Sequence, residues 1–230
     1  MASLPQEPAP ALPASIATEA ARYALLRRLA PSIRHHLVVN LQPIGMIYEV
    51  MDRRLSAPEP DLGDLHNSAH KINGFARAAL QSCLDVVGWL APEEGAVTTV
   101  GDGVRECLSL LATSLTFRGY AVRNDAAAME GEVGRSAMRN VATAAIIHLT
   151  DETRAPAELA LSAQRRPAAL VLTLVMRPTE GEKGFSTGTS YRNLTWADVE
   201  ALASAESVQL EREGSQCLRL VIPWAAQRNR

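Results

Sequence analysis

Two adjacent histidines stand in the run Arg34-His35-His36-Leu37-Val38-Val39-Asn40-Leu41-Gln42, inside a long amphipathic stretch. A neutral imidazole is nucleophilic near pH 7, its unperturbed pKa being about 6.5. Held out on a rigid helix, it can take a phosphoryl group from a partner protein. The elements around the pair decide whether it is held so. Apolar residues recur at Leu26, Ile33, Leu37, Leu41, Ile44, Ile47, Met51 and Leu55. Those gaps draw one stripe along a helix of 3.6-residue period. His35 lies two residues from both Ile33 and Leu37, so at about 100° per residue it projects roughly opposite the stripe. Arg28, Gln42 and Glu49 continue that outer face, while His36 sits on the flank of the stripe and is expected to be half-buried.

Ser56-Ala57-Pro58-Glu59-Pro60 ends the helix, because each proline removes a donor and restricts its predecessor. A second helical pattern runs from about Leu62 to Leu90, with Leu65, Ile72, Ala79, Cys83, Val86 and Leu90 as its apolar stripe. Two helices of similar length joined by a short loop pack antiparallel. A lone hairpin leaves apolar surface wet. A second copy would cover it as a four-helix bundle, so a homodimer is expected.

The chain has 230 residues, 47% of them hydrophobic, and a formal net charge of -2. That balance, with no basic aromatic patch, gives no reason to expect nucleic acid. No apolar run approaches the ~20 residues of a membrane span, and no secretion signal opens the sequence. Cys83, Cys107 and Cys217 are widely spaced and odd in number, which reads as three small core residues of a reduced, cytoplasmic protein. Residues 1–15 are Pro/Ala-rich and expected to form a loose tail, followed by the hairpin at 16–91 and a second domain at 92–230.

The second domain mixes helix and strand. Asp102, between Gly101 and Gly103, is expected to cap a helix running to Phe117. Strands are expected at 120–122, 157–163 and 168–176, and a helix from Val133 to Leu149. Thr195, with Asp198 in the capping-box position, opens a short helix ending near Ala203. Residues 207–212 and 217–222 alternate as a hairpin around Glu213-Gly214. The sum is an α+β protein: an N-terminal helical hairpin, then a two-layer sandwich.

At this point the chain resembles the catalytic half of a bacterial sensor histidine kinase, over about residues 20–225. In that family a helix carries His, a variable acidic or polar residue, and a Pro-Leu pair five and six positions on. His35 and Leu41 match the histidine and leucine. His36 stands where an acid is usual and Asn40 where the proline is usual, with Pro43 three residues later. The 102–122 and 208–223 segments resemble the entry to, and last strands of, the family's ATP-binding domain. Two departures stand out. Aligning Asn140-Val141-Ala142-Thr143-Ala144-Ala145 on the nucleotide helix leaves Ala144 where an asparagine would hold magnesium. The adenine-contacting Asp-x-Gly-x-Gly box is replaced by Arg177-Pro178-Thr179-Glu180-Gly181. Without an oxygen ligand for the metal, triphosphate charge goes uncompensated, so no ATP binding and no self-phosphorylation are expected.

Kinase-like dimers with a histidine and a degenerate ATP domain resemble the dimeric histidine phosphotransferases. The resemblance implies that His35 Nε2 takes phosphoryl from an aspartyl-phosphate of a receiver domain, which brings its own magnesium. His36 is the alternative acceptor or a neighbour of the site. A sensor kinase is a further possible partner, and input would arrive through another protein. Two other readings stay open: a kinase-fold adaptor that carries no phosphate, and a kinase that binds nucleotide in an altered way. His66 and His70 have the i, i+4 spacing of metal ligands but lie roughly 20–25 Å from His35 along the hairpin, so no metal site is expected. Gly181–Ser190 lacks the ending of a phosphate loop and reads as a remnant of the ATP lid. Arg22, Arg27, Arg28 and Arg34 either draw in an acidic receiver or form a solvated charged face.

Overall fold

The computed structural model describes residues 14–91, 93–181, 184–185 and 191–228. The expected tail at 1–15 falls, up to residue 13, outside the described residues, and so do residues 182–183 and 186–190 of the lid-like loop.

Helix α1 spans Ala14–Leu55, 42 residues with Pro31 and Pro43 inside it. Helix α2 spans Leu62–Leu90. Asp61 caps it, its carboxylate accepting from the amides of Gly63 and Asp64. The two helices pack as an antiparallel hairpin. Near the loop Arg54 meets Asp64 at 2.8 Å. Further down, the Asn40 amide donates to Ser82 Oγ at 3.0 Å and to the His36 carbonyl at 3.1 Å.

The buried stripe of α2 differs from the expected one. Ser68, Ala79 and Trp89 are buried and Leu65, Ile72, Phe75, Ser82 and Val86 half-buried, whereas Cys83 and Leu90 are exposed. Gaps alternate between three and four, the coiled-coil rhythm, so a stripe drawn on longer steps drifts off the seam at Cys83. In α1, Leu41 and Leu55 likewise face outward, 52% and 51% exposed. The first third of α1 does something the amphipathic pattern did not announce. Ala21, Ala24, Leu25 and Leu29 are at most 1% exposed because they pack on the second domain. Burying each leucine there is worth roughly 1.5–3 kcal/mol.

The second domain opens with β1 (Val97–Thr99) and α3 (Val100–Phe117). Thr99, not Asp102, caps α3: its hydroxyl accepts from the Asp102 amide, and Asp102 lies in the first turn. Strand β2 (Tyr120–Asn124) follows, then β3 (Glu132–Gly134), paired antiparallel with β1. Val133 is therefore in a strand rather than opening a helix. The helix comes after it, as a π-helical segment Ala137–Ala142 continuing into α4, Thr143–Glu152. Strands β4 (Ala157–Arg165) and β5 (Ala169–Pro178), helix α5 (Trp196–Ala205), and strands β6 (Gln209–Glu213) and β7 (Cys217–Pro223) complete the main elements. Thr195 and Asp198 form the full capping box on α5.

The main sheet has the order β2-β4-β5-β7-β6, with β2 parallel to β4 and the other pairs antiparallel. Leu159 and Leu161, Leu170 to Met176 in alternation, and Leu218, Leu220 and Ile222 all point to one buried face. That alternation is the signature of a sheet covered on one side. Helices α3, α4 and α5 cover it, and the start of α1 lies across α5 and α3. The protein is thus α+β, with N-terminal helices ahead of a mixed five-stranded sheet. Among the described residues, no helix is long and apolar enough to cross a membrane.

Candidate functional site

His35 is exposed on α1 and His36 is half-buried beside it, their ring centroids 6.2 Å apart. Among the described residues no hydrogen bond reaches the His35 ring. His35 lies at the lip of a cleft of about 660 Å³ between α1 and the second domain. Arg28, Pro31, His35 and Val38 reach it from α1. Their spacing by three, four and seven puts them on one helix face. Leu111, Ser114, Leu115 and Arg118 present the same spacing from the end of α3, and Ile147 and Thr150 of α4 close the back.

The floor of the cleft is a buried ion network. Arg28 makes a bidentate pair with Asp151, at 2.5 and 2.8 Å. Its side chain is 5% exposed and that of Asp151 6%. Arg118 donates to the same carboxylate at 3.1 Å and to the Thr150 carbonyl at 2.8 Å. The Tyr120 hydroxyl lies 2.6 Å from both the Thr150 and the Thr153 carbonyl oxygens, its one proton shared between them; burial raises its pKa. The C-terminal end of α4 is thereby tied to α1 and to the turn after α3. Arg28 is a structural clamp and not part of a solvated face. The signal for it was present: Arg28 lies in register with Ala21, Leu25 and Ser32, a stripe buried throughout.

The other arginines divide. Arg22 sits 3.6 Å from Glu206. Arg27 stacks over the Tyr191 ring at 5.2 Å. Arg34 is exposed beside His35 and lines the cleft. Phe117 and Phe185 pair at 5.1 Å at its edge, and the Phe185 amide donates to the Phe117 carbonyl at 2.9 Å. That contact holds Phe185 against the end of α3. Gly184 must be glycine here, since a Cβ would fall 2.1 Å from the Arg118 carbonyl carbon.

The segment aligned with a nucleotide helix is closed off by protein groups. Ala144 is 0% exposed. The Asn140 amide donates to Glu206 Oε1 at 3.2 Å, and the Ser136 hydroxyl donates to Glu206 Oε2 at 2.6 Å. Arg139, also buried, pairs with Glu106 and lies over Trp89 at 5.5 Å from the ring. Arg177 and Pro178 close strand β5 opposite Glu158 and Ala157.

His66 and His70 are exposed on α2, remote from the cleft, and no group of three or more metal-ligating side chains occurs among the described residues. Of the cysteines, Cys107 is buried and its thiol is pushed up to about 12 by burial. Cys217 is half-buried, and Cys83 is exposed, contrary to expectation.

No protein-family model matches the chain, and no curated protein sequence matches it. Among solved structures it is similar to a histidine kinase from Burkholderia phymatum STM815, at 13% identity and a TM-score of 0.44, covering 92% of this chain and 97% of that one. It is similar to the Acinetobacter baumannii histidine kinase AdeS, at 13% identity and a TM-score of 0.43, covering 77% and 95%. A third is histidine kinase ThkA in complex with the response regulator protein TrrA, at 12% identity and a TM-score of 0.40, covering 94% and 68%.

Proposed function

We propose that this chain is a histidine phosphotransferase of a two-component relay, accepting and donating phosphoryl at His35 with receiver domains of response regulators. The observation that carries the reading is an exposed imidazole on a rigid hairpin helix, with its ring unencumbered and a shaped basic recess beside it. In the forward step the Nε2 lone pair attacks the phosphorus of an aspartyl-phosphate. The P–O bond to the aspartate breaks and the electron pair leaves on the carboxylate. The receiver supplies the magnesium ion, so this chain mainly orients the ring. His36 is the alternative acceptor or a neighbour of the site. Its half-buried setting supports the lesser role.

The same reading has the chain act without ATP. The buried Ala144 supports this, because its methyl offers magnesium no oxygen at the aligned position. It also has the hairpin pair with a second copy. Leu41, Tyr48 and Leu55 recur every seven residues on α1, and Leu80, Leu84 and Val87 share a face of α2; all are more than half exposed. Apolar area of that extent suits a four-helix bundle. A cytoplasmic location accords with these partners.

One observation favours a second reading, a kinase-fold adaptor that binds a receiver and carries no phosphate. Among the described residues no carboxylate contacts His35 to hold its tautomer. Binding and transfer measured together on His35→Gln separate the two. Under the first reading receiver binding persists and transfer falls by at least a hundredfold. An adaptor would bind equally well and show no transfer even as wild type.

A further inference from the structure

The cleft beside His35 carries a charge imbalance that its own side chains leave standing. At the floor two guanidiniums, Arg28 and Arg118, share the single carboxylate of Asp151. Arg27 and Arg34 add two more cations, and among the described residues no aspartate or glutamate lines the space. The walls are mostly apolar, formed by Val38, Leu111, Leu115, Phe117 and Ile147, with the Thr113 and Ser114 hydroxyls among them. A surplus cation beside partly desolvated walls favours an anion over water, and guanidinium prefers carboxylate or phosphate oxygens. An inorganic anion would leave the apolar wall unused, and a neutral apolar molecule would leave the cations unanswered. The volume, about 660 Å³, suits a small organic molecule.

The geometry points to a binding site for a small amphipathic anion, a carboxylate or phosphate monoester on an aromatic or branched apolar body. Its anionic end lies toward Arg34 and Arg118 and its body on Leu111, Leu115 and Phe117. Because His35 forms part of the lip, an occupant touches that ring. The site itself does not rest on His35 being a phosphoryl acceptor.

The test uses the whole protein and anilinonaphthalene sulfonate, a fluorescent amphipathic anion, with neutral phenylnaphthylamine in parallel. One saturable site of micromolar affinity is expected for the anion. Arg34→Gln should weaken it about tenfold and leave the neutral probe unchanged; Arg34 is exposed, so the fold is spared. Ser114→Trp, which fills the cleft, should remove both. In proton NMR the anion should shift the His35 ring signals and not those of His66 or His70. Displacement by octanoate identifies a carboxylate ligand and displacement by phenyl phosphate a phosphate monoester; either supports the site. The proposal is overturned if both variants bind the anion like wild type, or if the histidines of α2 respond instead of His35. It also fails if the neutral probe binds as tightly as the anion, since the cleft would then be only an apolar surface.

Discussion

Removing the Asp151 carboxylate should cost far more than a surface ion pair. Asp151 is held by two hydrogen bonds from Arg28 at 2.5 and 2.8 Å and one from Arg118 at 3.1 Å. The Arg28 and Asp151 side chains are 5% and 6% exposed, so solvent does not screen the pair. In Asp151→Ala the Arg28 cation stays buried with only the Asn193 side chain, at 3.2 Å, to receive it. Stranding one member of a buried pair costs about 3–5 kcal/mol, a large share of the roughly 5–15 kcal/mol that holds a domain folded. Replacing both partners together, as Arg28→Met with Asp151→Leu, removes the stranded charge and should return most of that loss. Arg118 keeps the Thr150 carbonyl in that variant. The assay is urea unfolding followed by tryptophan fluorescence and circular dichroism, arranged as a double-mutant cycle. If Asp151→Ala costs under about 1 kcal/mol, or the double variant is as unstable as the single, the clamp is not what fixes α1 to the second domain.

Three further expectations come from other sites. Burial works to raise the Asp198 pKa, but hydrogen bonds from Arg192 and Thr195 outweigh it and hold the group at about 2. A depressed folded-state pKa gives stability that is present above pH ~4 and lost as pH falls toward ~2, worth about 2 kcal/mol; Asp198→Asn should flatten acid unfolding in that window. In native protein a thiol-disulfide reagent should modify exposed Cys83 quickly, Cys217 slowly, and Cys107 only on unfolding, because burial holds the Cys107 thiol at about 12. Under the proposed pairing of hairpins, wild type sediments as a dimer and Leu84→Glu, on the open face of α2 where Leu84 is 56% exposed, as a monomer without loss of helicity.

Local chemistry made much of this fold readable in advance. The proline-bearing break at 56–60, the Thr195–Asp198 capping box and the alternation of the last two strands each act within a few residues. The readings that slipped depended on distant partners. Asp102 has the right type for a cap, yet β1 pairs with β3 and brings Thr99 to the cap position first. The same pairing turns Val133 into a strand residue. Cys83 fell off the predicted seam because helix packing follows a 3.5-residue rhythm across two helices. At the site, the outward projection of His35 follows from periodicity alone. The cleft beside it does not, since its floor joins Arg28 to Asp151 across 123 positions of sequence.

The central claim is tested most directly by finding the phosphoryl group. Wild-type protein and His35→Gln are incubated with receiver domains carrying aspartyl-phosphate, and the product is mapped by tandem mass spectrometry under alkaline conditions that preserve phosphohistidine. The account predicts acid-labile phosphate on His35 in the wild type and none above background in the variant. Phosphate on His36 in both proteins would move the acceptor to that residue. A receiver that binds the wild type but never labels it would contradict the account.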